Sequence, residues 1–340
     1  MKVLSFGEIL LRMSPLTHGD WIRQQSTSTY IGGAECNVAM ALAKWKIPVK
    51  YITAMPENYL SHDIIDHLNS NSIDTTGIKL SGSRIGLYYM PQGADLKNTR
   101  TIYDRYYSSF YDLKPGDIDW DTILQDVKWF HFSALTPALN ETLVDVLKQA
   151  LDKASERNIP ISVDLNYRAK LWQYGKQPSD IMPLLASYAD VIMGNIWAAN
   201  KMLNIPIIDS LINSNTKEAY VEHALKTSEA ICTQYPKCKT VANTFRFDNN
   251  KNGIHYYTTL FHNNQFFVSD EYKKDNILER AGSGDCFMAG LIYGLFKQNH
   301  PKEILNYATA AAFSKLDEVG DYTRHSEEEV LSFLKTRSYE

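Results

Sequence analysis

Arg280-Ala281-Gly282-Ser283-Gly284-Asp285 runs straight into the apolar stretch Cys286-Phe287-Met288-Ala289-Gly290-Leu291-Ile292-Tyr293, so a carboxylate and a set of bare amides share one helix start. Phosphoryl transfer is the chemistry this junction suits. The glycines let the backbone turn tightly with no Cβ in the way of a ligand, and the first amides of a helix have no partner within it. Such a terminus attracts anions. A carboxylate at the same point would repel a phosphate, so its use there is to take a proton from a hydroxyl while the amides hold the transferring group. A glycine turn followed by an Asp helix cap has the same local pattern. The turn alone leaves both readings open.

Two more polar clusters follow strand-like runs, and open parallel sheets bind ligands at the carboxyl ends of their strands. Ile161-Ser162-Val163-Asp164 leads into Leu165-Asn166-Tyr167-Arg168. Gly32-Gly33-Ala34-Glu35-Cys36-Asn37 stands at the mouth of the first helix, where paired glycines let a ligand touch the main chain and Asn37 can hydrogen-bond hydroxyls. Arg168 offers a planar fork that suits a carboxylate, and Arg105, beside Tyr103, offers a second. Together they point to an acidic small molecule, although each arginine alone reads equally as half of a surface ion pair. Tyr88, Tyr89 and Tyr103 pack by default as half-buried strand residues, yet their phenols suit a polyhydroxylated ligand.

The elements that must position these groups read as an alternation of strand and helix. Strand-like runs cover Val3 to Phe6, Val49 to Thr53, Val127 to Phe132, Ile159 to Asp164, Val191 to Met193 and Thr240 to Ala242. Helical patterns lie between most of them. Val38, Ala41, Leu42 and Trp45 line one face of a helix opened by Gly32-Gly33, and Asn140 to Arg157 is the clearest helix of all. This predicts an α/β fold, a mostly parallel sheet covered on both faces. Residues 10–30 and 84–108 break the alternation with short polar-apolar runs, which predicts a small sheet of exposed strands set apart from the core, placed as a lid. The core is then residues 1–9, 31–83 and 109–340. Ser326-Glu327-Glu328-Glu329 forms a capping box, predicting a final helix.

Composition narrows the class. A chain of 340 residues, 44% hydrophobic, can bury a substantial core. With 35 basic against 39 acidic residues and no long Lys/Arg run, neither nucleic acid nor a membrane surface is an expected partner. Cys36, Cys232, Cys238 and Cys286 have no CxxC spacing, which suits a reducing cytoplasm and offers no zinc site. The start, Met1 to Phe6, reads as a strand cut short by Gly7-Glu8 and not as a signal peptide. There is no G-x-x-x-x-G-K-[ST] and no H-E-x-x-H, and Gly282-Ser283-Gly284 lacks the third glycine of a dinucleotide fingerprint.

The set resembles the ribokinase-like, PfkB-type carbohydrate kinases, and within them the group that phosphorylates 2-keto-3-deoxygluconate. Gly32 to Ala39, Gly86-Leu87-Tyr88-Tyr89, Asp164 to Trp172 (a D-x-N-Y-R-x-x-L-W run) and Gly282 to Asp285 carry the likeness, in order, over nearly the whole chain. The resemblance implies a three-layer α/β/α domain with a β lid, through which family members dimerise or form larger homo-oligomers. It implies Asp285 as base, and Gly282, Ser283 and Gly284 as the anion hole for the γ-phosphoryl group. Gly33, Asn37, Tyr88, Tyr103, Arg105 and Arg168 would hold the keto-deoxy sugar acid. ATP, with Mg²⁺, would lie along Asn195, Thr244 and Arg246 at a strand end, and along Ala311, Ser314, Lys315 and Gly320. Two departures stand out. The family usually places an acidic residue three positions after an Asn, and this chain has Asn195-Ile196-Trp197-Ala198; Glu279 stands where Asp is usual. A family kinase for a different sugar is one alternative, and a regulatory homologue that binds sugar without turning it over is the one these departures raise.

Overall fold

The computed structural model describes residues 1–15, 21–23, 25–91, 101–248 and 253–337. Parts of the stretches expected to form the lid, residues 16–20, 24 and 92–100, lie outside the described residues. In chain order the strands are β1 (Lys2–Phe6), β2 (Leu10–Pro15), β3 (Thr27–Gly32), β4 (Val49–Ile52), β5 (Ala54–Met55), β6 (Ile73–Asp74), β7 (Lys79–Leu80), β8 (Gly86–Tyr89), β9 (Ile102–Asp104), β10 (Val127–Ser133), β11 (Ile161–Asp164), β12 (Val191–Gly194), β13 (Thr240–Asp248), β14 (Ile254–His262), β15 (Gln265–Val268) and β16 (Tyr272–Lys274).

The central sheet runs β15-β14-β13-β12-β11-β10-β1-β4-β6, with β16 also paired to β14. From β13 to β6 every pairing is parallel, while β14, β15 and β16 join antiparallel. Neighbouring residues along a strand feed opposite cores. Val3, Trp129 and Val191 pack with the helices Ala34–Lys44, Ser283–Phe296 and Pro301–Ser314, whereas Leu4, Phe130 and Ile192 pack with Glu141–Glu156 and Ile196–Leu203. A strand apolar on both faces has to be covered twice, and this produces the three layers.

Local signals set the helix ends. Asn140 accepts from the Leu143 amide and opens Glu141–Glu156, whose Leu143, Leu147, Ala150, Leu151 and Ala154 are buried at helical spacing. Ser326 and Glu329 cap each other's amides at the start of Glu327–Arg337.

A second sheet, β3-β2-β8-β9, stands apart from the first; β2 and β8 are parallel and the outer pairs antiparallel. Its strands are not uniformly exposed as expected, because β2 is buried along most of its length. Arg12 is the reason: its guanidinium lies wholly inside the protein on two carboxylates. The strand expected to end at Ala242 continues to Asp248, since Phe245 and Phe247 find an aromatic cluster with Tyr220 and Tyr257.

Candidate active site

The carboxyl ends of the adjacent strands β11 and β12, the middle of β13 and the start of helix Ser283–Phe296 meet at one cavity of about 590 Å³. Asp164, Asn166 and Arg168 come from the first of these, Asn195 from the second, Thr244 and Arg246 from the third, and Gly282, Ser283, Gly284 and Asp285 from the helix start. Thr244 and Arg246 therefore sit mid-strand and not at a strand end.

The helix start is shaped by what surrounds it. Gly282 has φ 75°, and a Cβ there would fall 1.5 Å from the main-chain oxygen of Asp321. Only glycine fits. A Cβ on Gly284 would meet nothing within 4 Å, so the space in front of that residue is open. Asp285, in the first turn, is 8% exposed. Burial pushes its carboxyl up from 3.8 to about 7; Asp164 and Glu35 push the same way, against the Asn37 amide and Arg168. A carboxylate titrating near neutrality is suited to accept a proton and give it up again.

Asn37, in the helix Ala34–Lys44, turns its Nδ2 to donate to Asp285 Oδ2 at 2.7 Å, and its buried Oδ1 has no partner. Gly33 precedes that helix with φ 120°, its Cα against the main-chain oxygen of Glu8. Arg168 is half-buried on the cavity wall, with Nη1 donating to the Tyr167 carbonyl. Tyr103 also lines the cavity and stacks on Tyr88 at 6.4 Å.

Several expected ligand residues take other partners. Tyr88 is buried, and its hydroxyl donates to Asp321. Arg105 is 4% exposed, off the cavity wall, with Nε donating to Glu8; its Nη1 is buried without a partner. Asn195 caps helix Ile196–Leu203, accepting from the Ala198 amide at 2.8 Å. Ala311, Ser314, Lys315 and Gly320 do not reach the cavity: helix Pro301–Ser314 packs its alanine-rich face on helix Ser283–Phe296, and all four are buried. Lys315 Nζ instead donates to the carbonyls of Glu318 and Gly320, both at 3.0 Å, and burial lowers its pKa.

Asp164, Lys170, Trp197, Lys201, Tyr256 and Arg280 also line the cavity, beyond the site residues that the sequence motifs point to. Trp197 and Lys201 share one face of their helix four residues apart, a signal that was readable. Tyr256 comes from β14, which the alternation of strand and helix did not reveal.

Asp164 and Asp285 are the carboxylates on the cavity wall, and among the described residues no three His, Cys, Asp or Glu side chains gather where a metal could sit. Such a donor set fits Mg²⁺ brought in by nucleotide phosphates, with a carboxylate completing its shell, better than a protein cage.

The covered, mostly parallel sheet and the separate small sheet are the fold of a PfkB-type carbohydrate kinase. Over residues 1–327 the chain matches the pfkB family carbohydrate kinases, and it belongs to that family. Among solved structures, 2-dehydro-3-deoxygluconokinase from Thermotoga maritima superposes with a TM-score of 0.89 at 34% identity, covering 98% of this chain and 99% of that one. A 2-dehydro-3-deoxygalactonokinase of Haloferax volcanii is 32% identical over 180 residues, 53% of this chain, which spans about half (55%) of that relative's length. A 5-dehydro-2-deoxygluconokinase of Geobacillus thermodenitrificans is 26% identical over 288 residues, 83% of this chain and 77% of that protein. No helix among the described residues is long and apolar enough to cross a membrane.

Proposed function

We propose that this protein transfers the γ-phosphoryl group of ATP to 2-keto-3-deoxygluconate, forming its 6-phosphate, with Asp285 as general base. One observation carries the reading: a buried carboxylate titrating near 7 shares a cavity with bare helix-start amides and the Arg168 guanidinium. The names of the relatives support a dehydro-deoxy sugar acid as acceptor.

In this reading Arg168 takes the substrate carboxylate in a bidentate grip. Tyr103, on the cavity wall, would face the rest of the sugar, while Gly33, Asn37 and Arg105 lie behind that wall, with Asn37 Oδ1 and Arg105 Nη1 buried and unpartnered. The small sheet of β2, β3, β8 and β9 would act as the lid over the core. The terminal hydroxyl gives its proton to Asp285 as its oxygen bonds to the γ-phosphorus, and the bond from that phosphorus to the β-γ bridging oxygen breaks. ADP leaves. The amides of Gly282, Ser283 and Gly284 hold the charge that develops on the phosphoryl oxygens. Asn195, Thr244 and Arg246 lie on the nucleotide side. Mg²⁺ would supply charge neutralisation on the phosphates, with Asp164 the carboxylate at hand. Two copies would pair through the small sheet, where Ile102 on β9 is exposed, with Tyr106 and Tyr107 exposed in the turn that follows it.

An acceptor panel tests the assignment. With ATP and Mg²⁺ in a coupled ADP assay, 2-keto-3-deoxygluconate is expected to be used best, its galactonate epimer next, and neutral hexoses poorly. A preference for neutral hexoses removes the carboxylate role of Arg168.

A further inference from the structure

Behind the anion hole lies a charge network to which the chemistry above gives no task. Arg12, on β2 of the small sheet, is completely buried. Its Nη1 donates to Glu279 Oε2 at 2.8 Å, and its Nε lies 3.2 Å from Asp321 Oδ1. The guanidinium also covers the Tyr30 ring at 4.5 Å. Glu279 is just as buried, and its other oxygen, Oε1, accepts from the amides of Arg280 and Ala281 at 3.1 and 3.4 Å. Those amides open the turn that becomes the anion hole. Asp321 completes the support: its main-chain oxygen packs against Gly282, and its side chain takes the Tyr88 hydroxyl.

The arrangement is costly for stability alone. Fully buried ion pairs are often matched or bettered by apolar residues of similar volume, because desolvation offsets the attraction. What apolar residues cannot do is fix amides in direction. Glu279 uses one oxygen for the turn and the other for the small sheet, so the cation at residue 12 sets where the turn amides sit.

We propose that Arg12 is a positioning residue for phosphoryl transfer, holding the anion-hole turn in register through Glu279 and Asp321. The inference rests on the reading of Gly282 to Asp285 given above. A lysine at position 12 keeps the charge but lacks the fork that spans two carboxylates.

The test compares Arg12→Lys, Glu279→Gln and Asp285→Asn with the unmodified protein. Turnover is normalised to folded protein, and sugar-acid affinity is measured by calorimetry. Arg12→Lys and Glu279→Gln are expected to lose about tenfold or more in kcat, the scale of misplaced groups and weakened oxyanion donors. Their sugar-acid Kd should stay within about threefold, since neither residue lies on the cavity wall. A lowered melting temperature with unaltered kcat overturns the proposal, and so does failure of both charge variants to fold, because the network is then a stability element. If Asp285→Asn also turns over normally, the reading of the site has failed instead.

Discussion

The two helices that start behind a left-handed glycine use one backbone device for opposite ends. At Gly33, φ 120°, the helix start is closed by the Glu8 carbonyl, 2.3 Å from where a Cβ would stand. At Gly282, φ 75°, the glycine is pinned from behind by Asp321, and two residues on the space around Gly284 is open. One start is a wall and the other opens on the cavity. A helix terminus becomes an anion hole only where packing leaves room in front of it, and the first helix instead sends Asn37 across to hold the aspartate of the other.

Alanine substitutions break this comparison most strongly. Gly282→Ala forces a Cβ onto main chain in a left-handed conformation and should be destabilising well beyond the roughly 1–2 kcal/mol of the backbone strain itself. Denaturant unfolding measures it. Gly284→Ala should fold like the parent, with a methyl group intruding only on the phosphoryl group's space, so stability holds while turnover falls. If both variants lose stability equally, the helix starts do not differ as described.

Arg168→Gln should raise the KM for the sugar acid by about 10- to 100-fold, the range for losing a charge-assisted hydrogen bond of about 1.5–3 kcal/mol. Neutral acceptors should feel far less. Equal losses for acidic and neutral acceptors would place Arg168 away from the carboxylate.

The smallest expected effect is a shift in pH dependence. With Asp285 as the proposed base, turnover should fall as pH drops through about 7 and level off above. Asn37→Ala removes a hydrogen bond that favours the charged form, which moves this acid limb upward. Stability follows the opposite sense. A carboxyl raised in the folded state contributes fully below its unfolded value of 3.8, and that contribution is lost as pH rises through about 7. Asp285→Asn should therefore be more stable than the parent at pH 8 and no different near pH 4, as thermal melts would show.

What was legible in the sequence was local. The Ser326–Glu329 box and the glycine turn before Asp285 each depend on residues within one turn of each other, and the structure has both. Arg12 looked like a polar residue on an exposed strand because its partner Glu279 is 267 residues away. Tyr88 lies in β8, where its alternating run puts it, but its hydroxyl goes to Asp321, 233 residues on. Lys315 looked available to a nucleotide, and only the packing of helix Pro301–Ser314 shows it committed to the carbonyls of its own turn. Pattern reveals which face is buried; it does not reveal which distant group a buried charge meets.

The most direct test is phosphoryl transfer from ATP to 2-keto-3-deoxygluconate by the parent protein and by Asp285→Asn, followed as ADP release with Mg²⁺ and again with Mn²⁺. The account predicts sugar-dependent ADP release that falls by about 10²–10⁴-fold in the variant, with sugar-acid binding retained. Binding of the sugar acid with no ADP above background in the parent, or near-normal turnover in Asp285→Asn, would contradict it.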